Sequence, residues 1–199
     1  MSQDAVTYFN QAQMMLLDLH GSLLRSLLAR QSMEEARLDN EETLRLFENV
    51  EFQGEIEDVR SMGLDRVRLK LQGNIRAIDT YELLLGVIAG AMLQICKQTL
   101  SVAHGKQANG PKGKSVSSSC VRDLIWHGRN QSMHYEDTRP NSTWVEEFRT
   151  LNTENPGKFE MARPYRSLAL DVLDLLGWTT NYGKLDSDMR GLIASGPGI

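Results

Sequence analysis

The chain has 199 residues, 41% hydrophobic and 24% charged, proportions that exclude wholesale disorder and a fibrous repeat. That length suits one domain with a single core. A formal net charge of −4 and a pI near 5.6 exclude a surface that clings to nucleic acid everywhere, while leaving room for a local basic patch.

Acidic Asp4 comes early and no basic segment precedes an apolar stretch, so no export signal is expected. From Ala5, the apolar positions Phe9, Ala12, Leu16, Leu19, Leu23 and Leu27 recur every three or four residues and predict an amphipathic helix to Ala36. Leu44, Phe47 and Val50 predict a second, shorter helix over 41–52, and the acidic stretch 53–63 reads as a connection. Leu64, Val67, Leu71, Ile75, Ile78 and Leu85 mark a long helix to Leu100, with a bend expected near Gly73. Its apolar run over 83–96 falls short of the roughly twenty residues a membrane span needs. Gln94 also interrupts it, so it reads as a core helix in which Gly86 and Gly90 admit close packing, with no membrane partner.

The segment 104–119 is rich in Gly, Ser and Lys and predicts a flexible linker. The functional alternative is a lid or phosphate-contacting strap using Lys106, Lys112 and Lys114. Gly113-Lys114-Ser115 follows no strand-like run, so a nucleotide-hydrolysing phosphate loop is not expected. Ser119 is a good cap for a helix running to Asp137, which Pro140 stops. Thr143 and Glu146 are spaced as a capping box for a short helix burying Val145, Phe148 and Leu151, and Asn155-Pro156-Gly157 reads as a turn. A last helix follows Pro164, with Leu168, Val172, Leu175 and Leu176 as its stripe and Gly177 as its stop. Nothing alternates with period two for long enough to make a sheet, so the class is all-α. The expected layout is a single helical domain over 1–185 (N-terminal helices 1–52, core 64–178, loop 104–118) with a fraying tail over 186–199. Cys96 and Cys120 sit in apolar contexts without metal-ligand spacing and read as small buried hydrophobes, which fits a reducing cytoplasm.

The one grouping of acid-base side chains with an arginine and an amide is Arg129-Asn-Gln-Ser-Met-His-Tyr135. At about 100° per residue from Val121, Leu124, Ile125, Gly128, Ser132 and Tyr135 make one stripe facing the core. His127, Asn130 and His134 fall on the opposite side at roughly 180–240°, with Trp126, Met133 and Asp137 beside them and Arg129 on the flank. Trp126 and Met133 next to polar residues imply a second packing surface, covered by another helix or by a second copy of the chain.

Arg129, polar Asn130 and His134, with four residues between arginine and histidine, resemble the HEPN signature. The succession of a long helix, a variable loop and the motif-bearing helix resembles that family's bundle over 64–178. The resemblance implies a metal-independent endoribonuclease without cofactors, acting as a homodimer through the motif helix, often as a toxin or antiviral effector with an antitoxin or regulatory partner. Histidine, with an ordinary pKa of about 6.5, exchanges protons near neutrality. His134 would therefore move the proton of a ribose 2′-hydroxyl or of the 5′-oxygen leaving group. Arg129 would offset charge building on the phosphate, and Asn130 would donate to the phosphate or hold the imidazole. The product would carry a 2′,3′-cyclic phosphate, and DNA, which lacks the hydroxyl, would not react. His127, Tyr135 and the three lysines are candidate substrate contacts, Trp126 and Met133 candidate interface residues. Tyr135 directly follows the histidine, unlike the toxins whose tyrosine sits two positions on, so control by modification of that tyrosine is not carried over.

Other readings of the same residues stay open. Arg122, Asp123 and His127 repeat the spacing about two turns earlier on the helix. Arg129 in isolation reads as an ion-pairing residue for Glu136 or Asp137, and Asp79 or Glu82 as carboxylates that orient Arg129 or His134. His127 and His134, seven apart, lack the four-residue spacing of a helical zinc pair, so no metal is expected. Trp126 and Trp144 read first as packing residues rather than base-stacking platforms. Two further functions compete with the nuclease: a non-catalytic module that docks a partner through Trp126 and Met133, and a nucleotide or small-ligand sensor in the same cleft.

Overall fold

A computed structural model of the protein describes residues 3–48, 56–136, 142–160 and 166–194. Along the described residues run six α-helices, α1 (Gln3–Glu48), α2 (Ile56–His104), α3 (Val121–His134), α4 (Ser142–Glu154), α5 (Ala169–Leu175) and α6 (Tyr182–Ala194). A two-residue hairpin, β1 (Ser115–Val116) antiparallel to β2 (Ser119–Cys120), precedes α3. The protein is all-α, as its helical periodicity predicts.

Several boundaries differ from expectation. α1 does not break after Ala36. Arg37 donates to Glu34 at 2.6 Å and to Glu41 at 2.5 Å, and the Asn40 amide donates to the Ala36 carbonyl at 2.7 Å, so side-chain pairs bridge the lapse in apolar pattern. Val50 and Phe52 lie outside the described residues. α2 begins at Ile56, inside the stretch expected to connect, where 56–62 contain neither Gly nor Pro, and it continues through Gly73. Asp137, Pro140, Asn141 and Pro164 also lie outside the described residues. Residues 182–194, expected to lie largely in a fraying tail, instead form α6, with Leu185, Met189, Leu192 and Ile193 buried. Within α4, Trp144 is buried where Val145 was expected, because its ring meets Phe148 edge-on and Phe148 stacks on Phe159 at 5.8 Å. On α5, Leu173 is buried rather than Leu175. Gly177, at φ +69°, ends that helix as expected, its N–H donating to the Asp174 carbonyl.

The chain divides into two compact units rather than the single domain its length suggests: Met1–Leu24 with Leu85–Ile199, and Arg25–Leu84. The smaller unit joins the later part of α1 to the earlier part of α2, with an ion pair of 2.7 Å between Arg30 and Glu82. Among its described side chains Ile78 is the one buried apolar residue, while Leu28, Leu38, Leu46, Leu69 and Leu83 are exposed.

The larger unit holds the main core. Buried in it are Phe9, Leu16 and Leu23 of α1, Leu85, Met92, Leu93, Cys96 and Leu100 of α2, Leu124 and Ile125 of α3 and Val172 and Leu173 of α5, with Trp178 among the largest fully buried side chains. By length and composition Gly63–His104 of α2 could cross a membrane, but 61% of its apolar window is buried in the protein itself. α3 packs closely on its neighbours through small residues. A Cβ on Gly128 would lie 3.0 Å from Leu93 and 3.1 Å from Val172, and one on Gly90 would lie 3.2 Å from the Ser132 hydroxyl.

Candidate functional site

α3 carries both arginine–histidine pairs, and the segment before it fixes its position. Residues 104–119, expected to be a flexible linker, are pinned at several points. The first N–H groups of a helix have no partner within it. Here Val121 donates to the Lys114 carbonyl at 3.1 Å and Arg122 to the Lys112 carbonyl at 3.2 Å. The strap's own backbone therefore caps α3. Ser119, expected as the cap, instead turns its hydroxyl to Glu147 of α4. At the strap's start, the His104 imidazole meets the Leu192 carbonyl of α6 at 2.9 Å. Lys114 reaches Asp188 of α6 at 2.6 Å, and the same buried carboxylate accepts from Trp178 Nε1 at 3.0 Å. Gly113 adopts φ +72°, and a Cβ there would meet Leu192 at 2.9 Å, so only glycine passes without displacement. Lys106 and Lys112 are exposed on this ordered strap.

The earlier pair, Arg122 and His127, lies inside a part-buried network. Arg122 Nε donates to Asp123 at 2.7 Å and Nη1 to the Gly110 carbonyl at 2.6 Å. Asp123 also accepts from the Gln107 amide at 2.9 Å and from the Cys120 thiol at 3.2 Å. Burial works to raise the Asp123 carboxyl, but hydrogen bonds from Arg122, Gln107 and Cys120 outweigh it and hold it at about 2. His127 was expected on the face turned from the core, yet it is only 8% exposed. The cause is α4, which covers that side: His127 Nδ1 meets Glu147, and Nε2 lies 3.2 Å from the Gln107 amide nitrogen. One amide hydrogen of Gln107 goes to Asp123, so the other points at His127 Nε2, which must accept it. His127 is thus neutral with its proton on Nδ1. Burial lowers its pKa, Asp123 opposing the change and Arg122 adding to it. Both ring nitrogens and most of the Arg122 guanidinium are consumed within the fold. Cys120 does more than fill space here, whereas Cys96 is packed in the core and burial pushes its thiol up to about 12.

The later pair faces outward. Covered residues of α3 run from His127 and Gln131 round to Ile125, an arc rotated by roughly 40° toward α4 from the expected stripe. Gln131 is fixed at both ends of its amide, donating to the Arg166 carbonyl at 2.9 Å and accepting from the Leu168 N–H at 2.7 Å. This leaves Arg129 and Asn130 half-buried, and Met133 and His134 exposed at the end of the helix. Arg129 Nε donates to Gln94 of α2, and Nη1 donates to Asn130 Oδ1 at 3.2 Å. The residue that orients Arg129 is Gln94, neither Glu136 nor the carboxylates considered on α2, of which Glu82 pairs with Arg30. Asn130 and His134 lie one turn apart, Trp126 sits half-buried with the Lys97 ammonium 4.9 Å from its ring centre, and Tyr135 closes the helix half-buried. Among the described residues no group of three His, Cys, Asp or Glu side chains is arranged to hold a metal ion.

The fold and site define an all-α protein with an outward-facing Arg-Asn-x3-His group on a helix wedged between three others. No family model matches the chain, and neither a curated protein nor a solved structure matches it significantly.

Proposed function

We propose that the protein is a metal-independent endoribonuclease of HEPN type, working in the cytoplasm as a toxin or antiviral effector. The observation that carries this reading is the contrast between the two pairs on α3. Arg122 and His127 lie part-buried and buried within an internal hydrogen-bond network, whereas His134 is exposed and half-buried Asn130 joins Gln94 in holding the Arg129 guanidinium. His134 acts as the proton-transferring group, Arg129 as the permanent charge for the phosphate, and Asn130 as the link between them. A two-fold dimer through exposed Met133 would bring two copies of this group to one cleft. Two free cysteines are compatible with a reducing compartment.

Incubation of the purified protein with total cellular RNA, with and without EDTA, tests the reading. Wild type should cleave equally in both, leaving 2′,3′-cyclic phosphate ends, and His134→Ala should lose at least about a hundredfold in rate with an unchanged circular-dichroism spectrum. Cleavage that survives His134→Ala, or that requires the metal, defeats it.

A further inference from the structure

We propose that the smaller unit is a self-association arm, in which the acidic outer face of α1 in one copy of the chain docks on a basic face of α2 in a second copy. The contact lies wholly within residues 25–84 and uses no residue of α3, so it stands apart from any chemistry there.

Helix geometry sorts the exposed side chains of this unit into two faces. On α1, Leu28, Glu35, Leu38, Asp39, Glu42 and Leu46 fall within about 60° either side of Glu35. All six are exposed, and no cation shares that arc between Leu28 and Leu46. On α2, Arg66, Leu69, Lys70, Gly73, Arg76 and Leu84 fall within about 60° either side of Gly73. These six are exposed as well, and no carboxylate shares their arc between Arg66 and Leu84. Leu28 is 68% exposed, Leu46 61% and Leu69 70%, so none of the three serves the seam between α1 and α2 of its own chain.

Charge separates the two faces further. Elsewhere on these helices charges pair within the chain: Arg30 with Glu82 at 2.7 Å, Arg37 with Glu34 and Glu41, and Arg68 with Asp65 at 3.5 Å. Glu35, Asp39 and Glu42 on one face, and Arg66, Lys70 and Arg76 on the other, have no ion-pair partner among the described residues. Gly73 points the same way. Glycine weakens a helix interior, and nothing lies within 4 Å of where a Cβ on Gly73 would stand. A single chain has no use for glycine there, whereas a second helix crossing at that point gains a closer approach. With the two helices antiparallel and Leu28 level with Leu84, Glu42 comes level with Lys70, Glu35 falls within one residue of Arg76, and Leu38 and Asp39 lie beside Gly73.

A nucleic-acid backbone fits the basic face less well, because it gains nothing from exposed leucines and meets the carboxylates of the adjoining α1. A second copy supplies the opposite charge and the apolar surface together. The two faces differ, so the contact is heterologous: it repeats from copy to copy until a ring closes, or leaves an open chain of copies.

Sedimentation velocity of the full-length protein tests this with two surface variants, Glu35→Gln/Asp39→Asn/Glu42→Gln and Arg66→Gln/Lys70→Gln/Arg76→Gln, whose circular-dichroism spectra should match wild type. Wild type should gain average mass with concentration at about 50 mM salt, and less so at about 500 mM, where exposed charges are screened. Either variant alone should associate at least about tenfold more weakly, the loss expected for three exposed ion pairs. Mixed together, the two should form one-to-one complexes, because the intact basic face of the first meets the intact acidic face of the second. Gly73→Leu, for which the single chain has room, should also weaken association without lowering the thermal midpoint of the dilute protein. Pairing through Met133 of α3 would persist in all these variants and so drops out of the comparison. Identical sedimentation of wild type and variants overturns the proposal, as does association lost in both variants and not restored on mixing. Weaker binding of an oligouridylate by the Arg66/Lys70/Arg76 variant, with self-association unchanged, assigns that face to RNA and overturns it too.

Discussion

Among single residues, His127 repays attention because its two ring nitrogens define its charge state. Gln107 can donate to both Asp123 and His127 only while the imidazole is neutral. Protonation would set an N–H against an N–H, at a position facing Asp123 and Arg122 on its own helix and Glu147 on α4. The folded pKa is lowered, by burial first. The stabilisation is therefore complete above the unfolded histidine value of about 6.5 and is lost as pH falls below that value toward the lowered folded one. Thermal unfolding followed by circular dichroism should show a lower midpoint at about pH 5.5 than at about pH 7.5, and His127→Gln should flatten that difference. An unaltered slope in the variant would assign the acid sensitivity to other groups. The sequence placed the candidate residues on α3 and turned Asn130 and His134 outward; His134 is exposed and Asn130 half-buried. It misplaced His127 because a helical wheel knows one core direction, and the covering helix α4 arrives from another. Gln94 had a visible signal, a polar residue interrupting an apolar run; Glu147 and Gln107 had none, since their role comes from chain segments twenty residues away.

At the level of elements, α6 is the clearest departure from the pattern. Gly183 and Gly191 weaken its intrinsic propensity, and what holds it is tertiary: Tyr182 donates to the Gln13 carbonyl at 3.1 Å, Gln13 to Asp186 at 3.1 Å, and the Arg190 guanidinium lies 5.5 Å from the Phe9 ring centre. Helices in proteins draw most of their stability from such packing. Leu185, fully buried, should accordingly lower stability by about 2–5 kcal/mol when changed to Ala, as read from urea denaturation; a tail that frays would give a change near zero. The reverse error occurred in α1. Apolar periodicity reports burial, so it fell silent over 36–40, where the helix is carried by Arg37 and its two glutamates at the surface. Helix existence was legible for the buried faces of α1 to α5 but not for α6, whose buried Leu185, Met189, Leu192 and Ile193 lie largely in the stretch read as a tail, and boundaries were lost where surface pairs or distant packing decide them.

For the molecule as a whole, the division into two units predicts unequal resistance to opening. Residues 25–84 bury little apolar surface among their described side chains and expose six leucines, whereas the buried faces of α2 beyond Leu85 and of α3 belong to the main core. Local opening free energy follows buried contact. Hydrogen–deuterium exchange read by mass spectrometry should therefore find amides of 25–47 and 64–84 exchanging well before those of 88–100 and 121–131, and uniform protection across α2 would contradict it. The strap has a consequence of a different kind, in the order of synthesis. Its lysine anchor, Asp188, lies 74 residues downstream of Lys114, and the carbonyl that holds His104 lies 88 residues downstream. At roughly 5–20 residues per second, a ribosome leaves the strap without these partners for about 4–18 s after making it. Until then the strap and the cap of α3 lack their hold on α6, so a nascent chain carries the Arg129–His134 segment long before the surroundings that shape it. Whatever the α3 site does, the chain becomes able to do it late, when α6 has docked and not when the motif emerges.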